Sequence, residues 1–155
     1  MIEKGANLEA KYNDGRTALS WASSKGHTDT AKLLIEKGAN LEAKDNDGRT
    51  ALCWASSQGH TDTAKLLIEK GANLEAENKN GVTPLSCASS QGHTDTAKLL
   101  IEKGANLEVE NKTGSAPLIC ASCLGHTDTA KLLIEKGANL EAKHNDGRTA
   151  LSWAS

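Results

Sequence analysis

Residues 28–37 read Thr-Asp-Thr-Ala-Lys-Leu-Leu-Ile-Glu-Lys, and their apolar positions follow a helical rhythm. Ala31, Leu34 and Ile35 stand at i, i+3 and i+4, which places them on one helix face, and Leu33 widens that face. Lys32 and Glu36 lie four apart on the outer side. The helix is expected to open at Thr28 or His27, with Asp29 favouring its positive N-terminus, and to run to about Lys37. Gly38 is suited to end it as a left-handed C-cap. A shorter helix is expected over about 18–24, with Leu19, Ala22 and Trp21 turned inward. Thr17 offers a capping hydroxyl at its start, and Gly26 breaks it. Before that helix, Asn13-Asp14-Gly15 is a tight-turn signal. After the second helix, Leu41 is expected to fold back over the edge of the unit.

This unit recurs. The words GHTDTAKLLIEKGANLE stand at 26–42, 59–75, 92–108 and 125–141, each copy 33 residues after the last, and IEKGANLEA follows Met1. A fixed period in this range marks a solenoid. The chain divides into a partial unit at 1–11, full repeats at 12–44, 45–77, 78–110 and 111–143, and a partial unit at 144–155. It reads as one array without linkers. Helices this short fall below the roughly 12–15 residues that are marginal alone in water, so each must stack on its neighbour. Both terminal units lack part of the repeat. The sequence therefore reads as a piece of a longer array or one built with unfinished ends. Exposed apolar end faces and head-to-tail self-association are expected from it.

The wording resembles the ankyrin repeat. The match is carried by NGVTPLSCASSQGHTDTAKLLIEKGAN at 80–106, by NDGRTALSWASSKGH and by NDGRTALCWASSQGH. It covers the whole chain with many fixed offsets repeated. Two features depart from the family pattern. Ser20, Cys53, Ser86, Ile119 and Ser152 replace the box histidine, and the box proline remains only as Pro84 and Pro117. The resemblance implies that the histidine's inter-repeat hydrogen bonds are missing. It also implies an all-α helix-turn-helix solenoid with hairpin-like loops. A protein partner is expected on a concave face built from the hairpin tips and the exposed side of the first helix.

Differences among the four copies fall almost wholly in the tip and the first helix, as that expectation requires, with the last loop position (Lys44, Glu77, Glu110, Lys143) also varying. Drift after recent duplication is the competing explanation, and the invariance of exposed Lys32, Glu36 and Lys37 in every copy favours recent copying or design. The first two repeats present a mixed-charge Asn-Asp-Gly-Arg tip. The third and fourth are less charged and more apolar. The candidate partner-binding residues are accordingly Lys79, Asn80, Val82, Gln91, Lys112, Thr113, Ser115, Ile119, Cys123 and Leu124.

Composition narrows the function classes. The net charge of −2 offers no footprint for nucleic acid. No apolar run approaches the roughly 20 residues of a membrane span. The N-terminus does not read as a signal peptide, and the four unevenly placed cysteines read as the reduced thiols of a cytoplasmic protein.

The histidine series His27, His60, His93 and His126 invites a metal reading, but stacked equivalents should lie about 10 Å apart, whereas zinc needs ligands at about 2 Å. These histidines are instead expected to satisfy loop backbone groups. Cys120-Ala-Ser-Cys123 is formally a Cys-x-x-Cys motif without the context of a redox site. Cys87 and Cys120, equivalent positions one repeat apart, should exceed the roughly 7 Å limit for a disulfide. Trp21, Trp54 and Trp153 read as packing residues between helices. Their replacement by Cys87 and Cys120 predicts looser third and fourth repeats. No catalytic constellation, phosphate-binding loop or cofactor site emerges. The sequence thus points to a non-enzymatic protein-binding module, with an engineered or excised scaffold lacking a partner of its own as the rival.

Overall fold

A computed structural model describes residues 7–141 and 143–149. Among the described residues there are eight short helices in pairs: α1 (Ala18–Lys25) and α2 (Thr28–Glu36), α3 (Ala51–Gln58) and α4 (Thr61–Glu69), α5 (Pro84–Ser90) and α6 (Thr94–Glu102), α7 (Pro117–Cys123) and α8 (Thr127–Glu135). Helices α1, α3, α5 and α7 stack into one row, and α2, α4, α6 and α8 into a second, less closely packed row. Among the described residues the only β pairing is an isolated bridge between Lys143 and Thr149. The all-α solenoid expected from the sequence is the observed architecture. The terminal faces expected to be exposed involve residues 1–6 and 150–155, which lie outside the described residues, as do Ser152 and Trp153.

Local chemistry explains the helix boundaries. Thr17, Thr50 and Thr83 hold extended backbone, and their hydroxyls accept the amides of Ser20, Cys53 and Ser86 at 3.3–3.4 Å. Helix α7 is preceded by Ala116 at its N-cap, which offers no side-chain cap. Each second helix ends before a glycine with positive φ. The Gly38 amide meets Ile35 O at 2.9 Å and the Ala39 amide meets Leu34 O at 3.0 Å. This paired arrangement absorbs carbonyls that the last turn would otherwise leave bare.

The core is narrow and repeats with the chain. Leu19, Leu52 and Leu85 from the first row, and Leu67, Leu100 and Leu133 from the second, are fully buried among alanines. Burying each such leucine contributes about 2–3 kcal/mol. Leu41, Leu74 and Leu107 pack partly buried against this core, as expected for the edge of each unit.

Polar bonds lock the repeats in register. The imidazole Nε2 of His60, His93 and His126 meets the carbonyl of Ser24, Ser57 and Ser90 in the preceding repeat at 3.0–3.2 Å. A carbonyl only accepts, so Nε2 carries the proton. The amides of Asn40, Asn73, Asn106 and Asn139 donate to Glu9, Glu42, Glu75 and Glu108 one repeat back. Hydroxyls pair across repeats as Thr28–Thr63, Thr61–Thr96 and Thr94–Thr129 at 2.7–2.8 Å. The inter-repeat ladder expected to be lost with the box histidine is thus supplied by other side chains.

The histidine ring also fixes a glycine. A β-carbon on Gly59 would stand 2.5 Å from His93 Nδ1, whereas one on Gly71 would meet nothing within 4 Å. Both glycines have positive φ, so alanine at either incurs the left-handed cost of about 1–2 kcal/mol. Gly59→Ala is expected to destabilise the chain by about 2 kcal/mol more than Gly71→Ala in urea unfolding, because only the first displaces an inter-repeat bond. Equal losses would show that the ring moves aside freely. In the other direction, Ala116→Thr is expected to add about 1 kcal/mol by supplying the missing cap. A lower thermal midpoint would show that the pocket which holds Thr83 has no counterpart at α7.

Candidate protein-binding face

Each tip is a short hairpin that leads into a first helix. In the second repeat Asp45 N donates to Arg49 O at 3.1 Å and Gly48 N to Asp45 O at 3.0 Å. Successive tips are joined along the backbone: Asn46 N to Asp14 O, Lys79 N to Asp47 O and Lys112 N to Asn80 O, at 2.9–3.0 Å. The tips therefore form a continuous edge beside the first-helix row.

The first tip position has a structural task. Asp45 Oδ1 accepts the amides of Asp47 and Arg49, Asn78 Oδ1 those of Asn80 and Val82, and Asn111 Oδ1 those of Thr113 and Ser115. A short side-chain carbonyl at this point closes the turn. Part of the variation among copies is thus constrained by the hairpin itself.

In the first two repeats the tips satisfy their own charges. The Arg16 guanidinium lies between two indoles, 3.8 Å from the Trp21 ring centroid and 4.0 Å from that of Trp54. Arg49 covers Trp54 at 4.0 Å. Tyr12 meets Trp21 edge-on, with centroids 6.0 Å apart. Arg16 also pairs with Asp14 at 2.7 Å, and Arg49 with Asp45 at 3.1 Å and Asp47 at 2.7 Å. The Arg16 amide, followed by its guanidinium, holds the Asp14 carboxyl below the ordinary carboxylate range. Trp21 and Trp54, read from the sequence as inter-helix packing, are therefore members of an alternating indole–guanidinium stack. The signal was available in the joint recurrence of Arg16 with Trp21 and Arg49 with Trp54, five residues apart, and in the joint absence of both from the third and fourth repeats.

The expected contact residues of the third and fourth repeats separate into two exposed bands and a buried layer. Lys79, Asn80, Lys112 and Thr113 are exposed on the tips, with Val82 half-buried beside them. Neither lysine forms an ion pair among the described residues. Gln91, Cys123 and Leu124 are exposed at the far ends of α5 and α7, and Leu124 is 58% accessible. A seven-residue helix of about 10 Å separates the bands. Ile119, at 2% accessibility, and Ser115 are buried, which corrects their reading as surface positions. Ile119 stands two residues into α7 and faces the core instead, and the Ser115 amide is held by the turn.

The remaining thiols and histidines offer no catalytic geometry. Burial, then the charge of Cys123, pushes the Cys120 thiol up to about 11, opposite to what a redox-active Cys-x-x-Cys requires. Among the described residues no group of three His, Cys, Asp or Glu side chains could hold a metal ion, and no helix is long and apolar enough to cross a membrane.

The family model for ankyrin repeats, built on three copies, matches residues 1–78, 37–111, 72–144 and 107–155. Together these spans cover the whole chain, and the chain belongs to the ankyrin-repeat family. No curated protein matches it. Ankyrin repeats are generally protein–protein interaction modules and typically lack enzymatic activity.

One indole in the stack is incompletely bonded. Trp54 Nε1 donates to Asp45 Oδ2 at 2.9 Å, but Tyr12 occupies the corresponding position in the first repeat and Trp21 Nε1 is buried without a partner. Tyr12→Asp is expected to raise the urea unfolding midpoint by the equivalent of about 1 kcal/mol, since it restores the acceptor. An unchanged or lower midpoint would mean that the edge-on contact of Tyr12 outweighs the lost hydrogen bond.

Proposed function

We propose that the chain binds a protein partner through the surface formed by the tips and first-helix ends of its third and fourth repeats. The observation that carries this reading is the contrast along the tip edge. Arg16 and Arg49 spend their charge on carboxylates and indoles within the chain. Among the described residues Lys79 and Lys112 have no such partners, and Leu124 projects an apolar side chain at the other band. A partner segment with acidic residues spaced to meet the two lysines and an apolar residue to cover Leu124 fits this arrangement. A desolvated apolar contact supplies affinity, while peripheral charge chiefly sets encounter and orientation.

The chain and three variants serve as baits against one lysate, with retained proteins read by mass spectrometry. Val82→Glu/Leu124→Glu and Lys79→Glu/Lys112→Glu alter the proposed surface, and Lys98→Glu alters the exposed side of α6. A protein retained by the parent and the α6 variant, and lost or weakened at least tenfold by the other two, is the expected outcome. A retained protein lost only with the α6 variant would move the interface to the second-helix row. Identical retention by all four baits would remove the reading.

A further inference from the structure

The Sγ atoms of Cys53 and Cys87 lie 3.0 Å apart in the interior between the second and third repeats. Both cysteines are buried, Cys53 in α3 and Cys87 in α5. They are 34 residues apart, one more than the repeat, so they are not equivalent positions. Equivalent positions are separated by a full helix-packing distance. The extra residue turns the second side chain back toward the first, and the two meet across the α3–α5 boundary.

The repeats show how unusual this coincidence is. The first position is occupied by Ser20, Cys53, Ser86 and Ile119, and the second by Trp21, Trp54, Cys87 and Cys120. The facing pairs at the successive boundaries are therefore Ser20 with Trp54, Cys53 with Cys87, and Ser86 with Cys120. Only the central boundary carries sulfur on both sides.

We infer that Cys53 and Cys87 are a site of reversible oxidation, forming an intrachain disulfide that clamps the second repeat to the third. The co-reactant is a low-molecular-weight disulfide such as oxidised glutathione. One protein thiol, as thiolate, attacks a glutathione sulfur and releases one reduced glutathione. The second protein thiol, deprotonated in turn, displaces the remaining glutathione and closes the Cys53–Cys87 bond. Two protein thiols are oxidised, one glutathione disulfide is reduced, and the two thiol protons end on the two glutathione molecules. The required S–S contraction is about 1 Å from the present contact, smaller than side-chain rotation supplies.

The surroundings set the rate. The hydrogen bond to Cys53, then burial, raises the Cys87 thiol above its ordinary value, and the nearby Arg49 guanidinium offsets this only in part. The Cys87 thiolate is therefore scarce at neutral pH, and its part in the exchange should quicken as pH rises. The clamp answers sustained oxidation.

The test uses the full chain carrying Cys120→Ser/Cys123→Ser, so that Cys53 and Cys87 are its only thiols. It is equilibrated with oxidised glutathione, both folded and during refolding from urea, then alkylated in denaturant and weighed. The expected product is a monomer lighter by two hydrogens, with neither thiol alkylated and no glutathione retained. Its thermal midpoint should rise by roughly 5–10 °C, and reductant should reverse both changes. Closure during refolding alone would still support the pairing and show that burial limits access. Adding Cys53→Ser, which the serines at the same position of neighbouring repeats show to be compatible with the fold, should abolish the mass loss and the rise in midpoint. Two alkylated thiols, two retained glutathiones or a crosslinked dimer under both conditions would overturn the inference.

Discussion

A helix of seven to nine residues does not hold itself together in water, and every helix described in this chain is of that length. The whole structure depends on this insufficiency. No repeat can bury its leucines without a neighbour, so the apolar contacts between repeats create the helices as much as they join them. Polar side chains then fix the register. The histidine, glutamate and threonine bonds each span one repeat boundary. Together they determine how far one unit may slide or turn against the next.

The separation of tasks within each repeat follows from this. Residues 26–42 and their copies carry the second helix, its C-cap and two of the three polar ladders, and they do not vary. Variation is left to the tip and first helix, but even there it divides. Asp45, Asn78 and Asn111 each supply the same turn-closing oxygen, and Asp45 also holds Trp54 Nε1 and Arg49. Lys79, Lys112 and Leu124 have no comparable internal duty, and the proposed recognition surface rests on them.

Much of the fold was legible in the sequence because its determinants are local and repeated. The threonine caps, the left-handed glycines and the i, i+3, i+4 apolar face can all be read within one unit. What escaped was relational. The histidine was expected to serve its own loop but reaches a carbonyl 36 residues back. Ile119 looked like part of an exposed apolar patch, yet its place in the first turn of a seven-residue helix turns it inward. The Cys53–Cys87 contact was missed because equivalent positions were compared, whereas the stacking geometry brings together positions offset by one. Periodicity predicts the members of a repeat well. It does not by itself reveal which non-identical members face each other.

Three of the polar ladders between repeats point the same way, whereas the threonine hydroxyls can donate in either sense and Lys11 Nζ donates forward to Lys44 O at 3.0 Å. The tip amides, the asparagine amides and the histidine Nε2 donate from the later repeat, and the earlier repeat supplies the carbonyls and carboxylates that accept. The stack therefore has a sense, with a donor side and an acceptor side at every boundary. Two such stacks brought together about a twofold axis would set donors on donors or acceptors on acceptors. Only translation along the axis, which repeats the internal contact, satisfies both sides. Isologous pairing of such boundary faces is thus disfavoured by these three ladders, and an assembly that repeated the internal contact would be heterologous and open-ended.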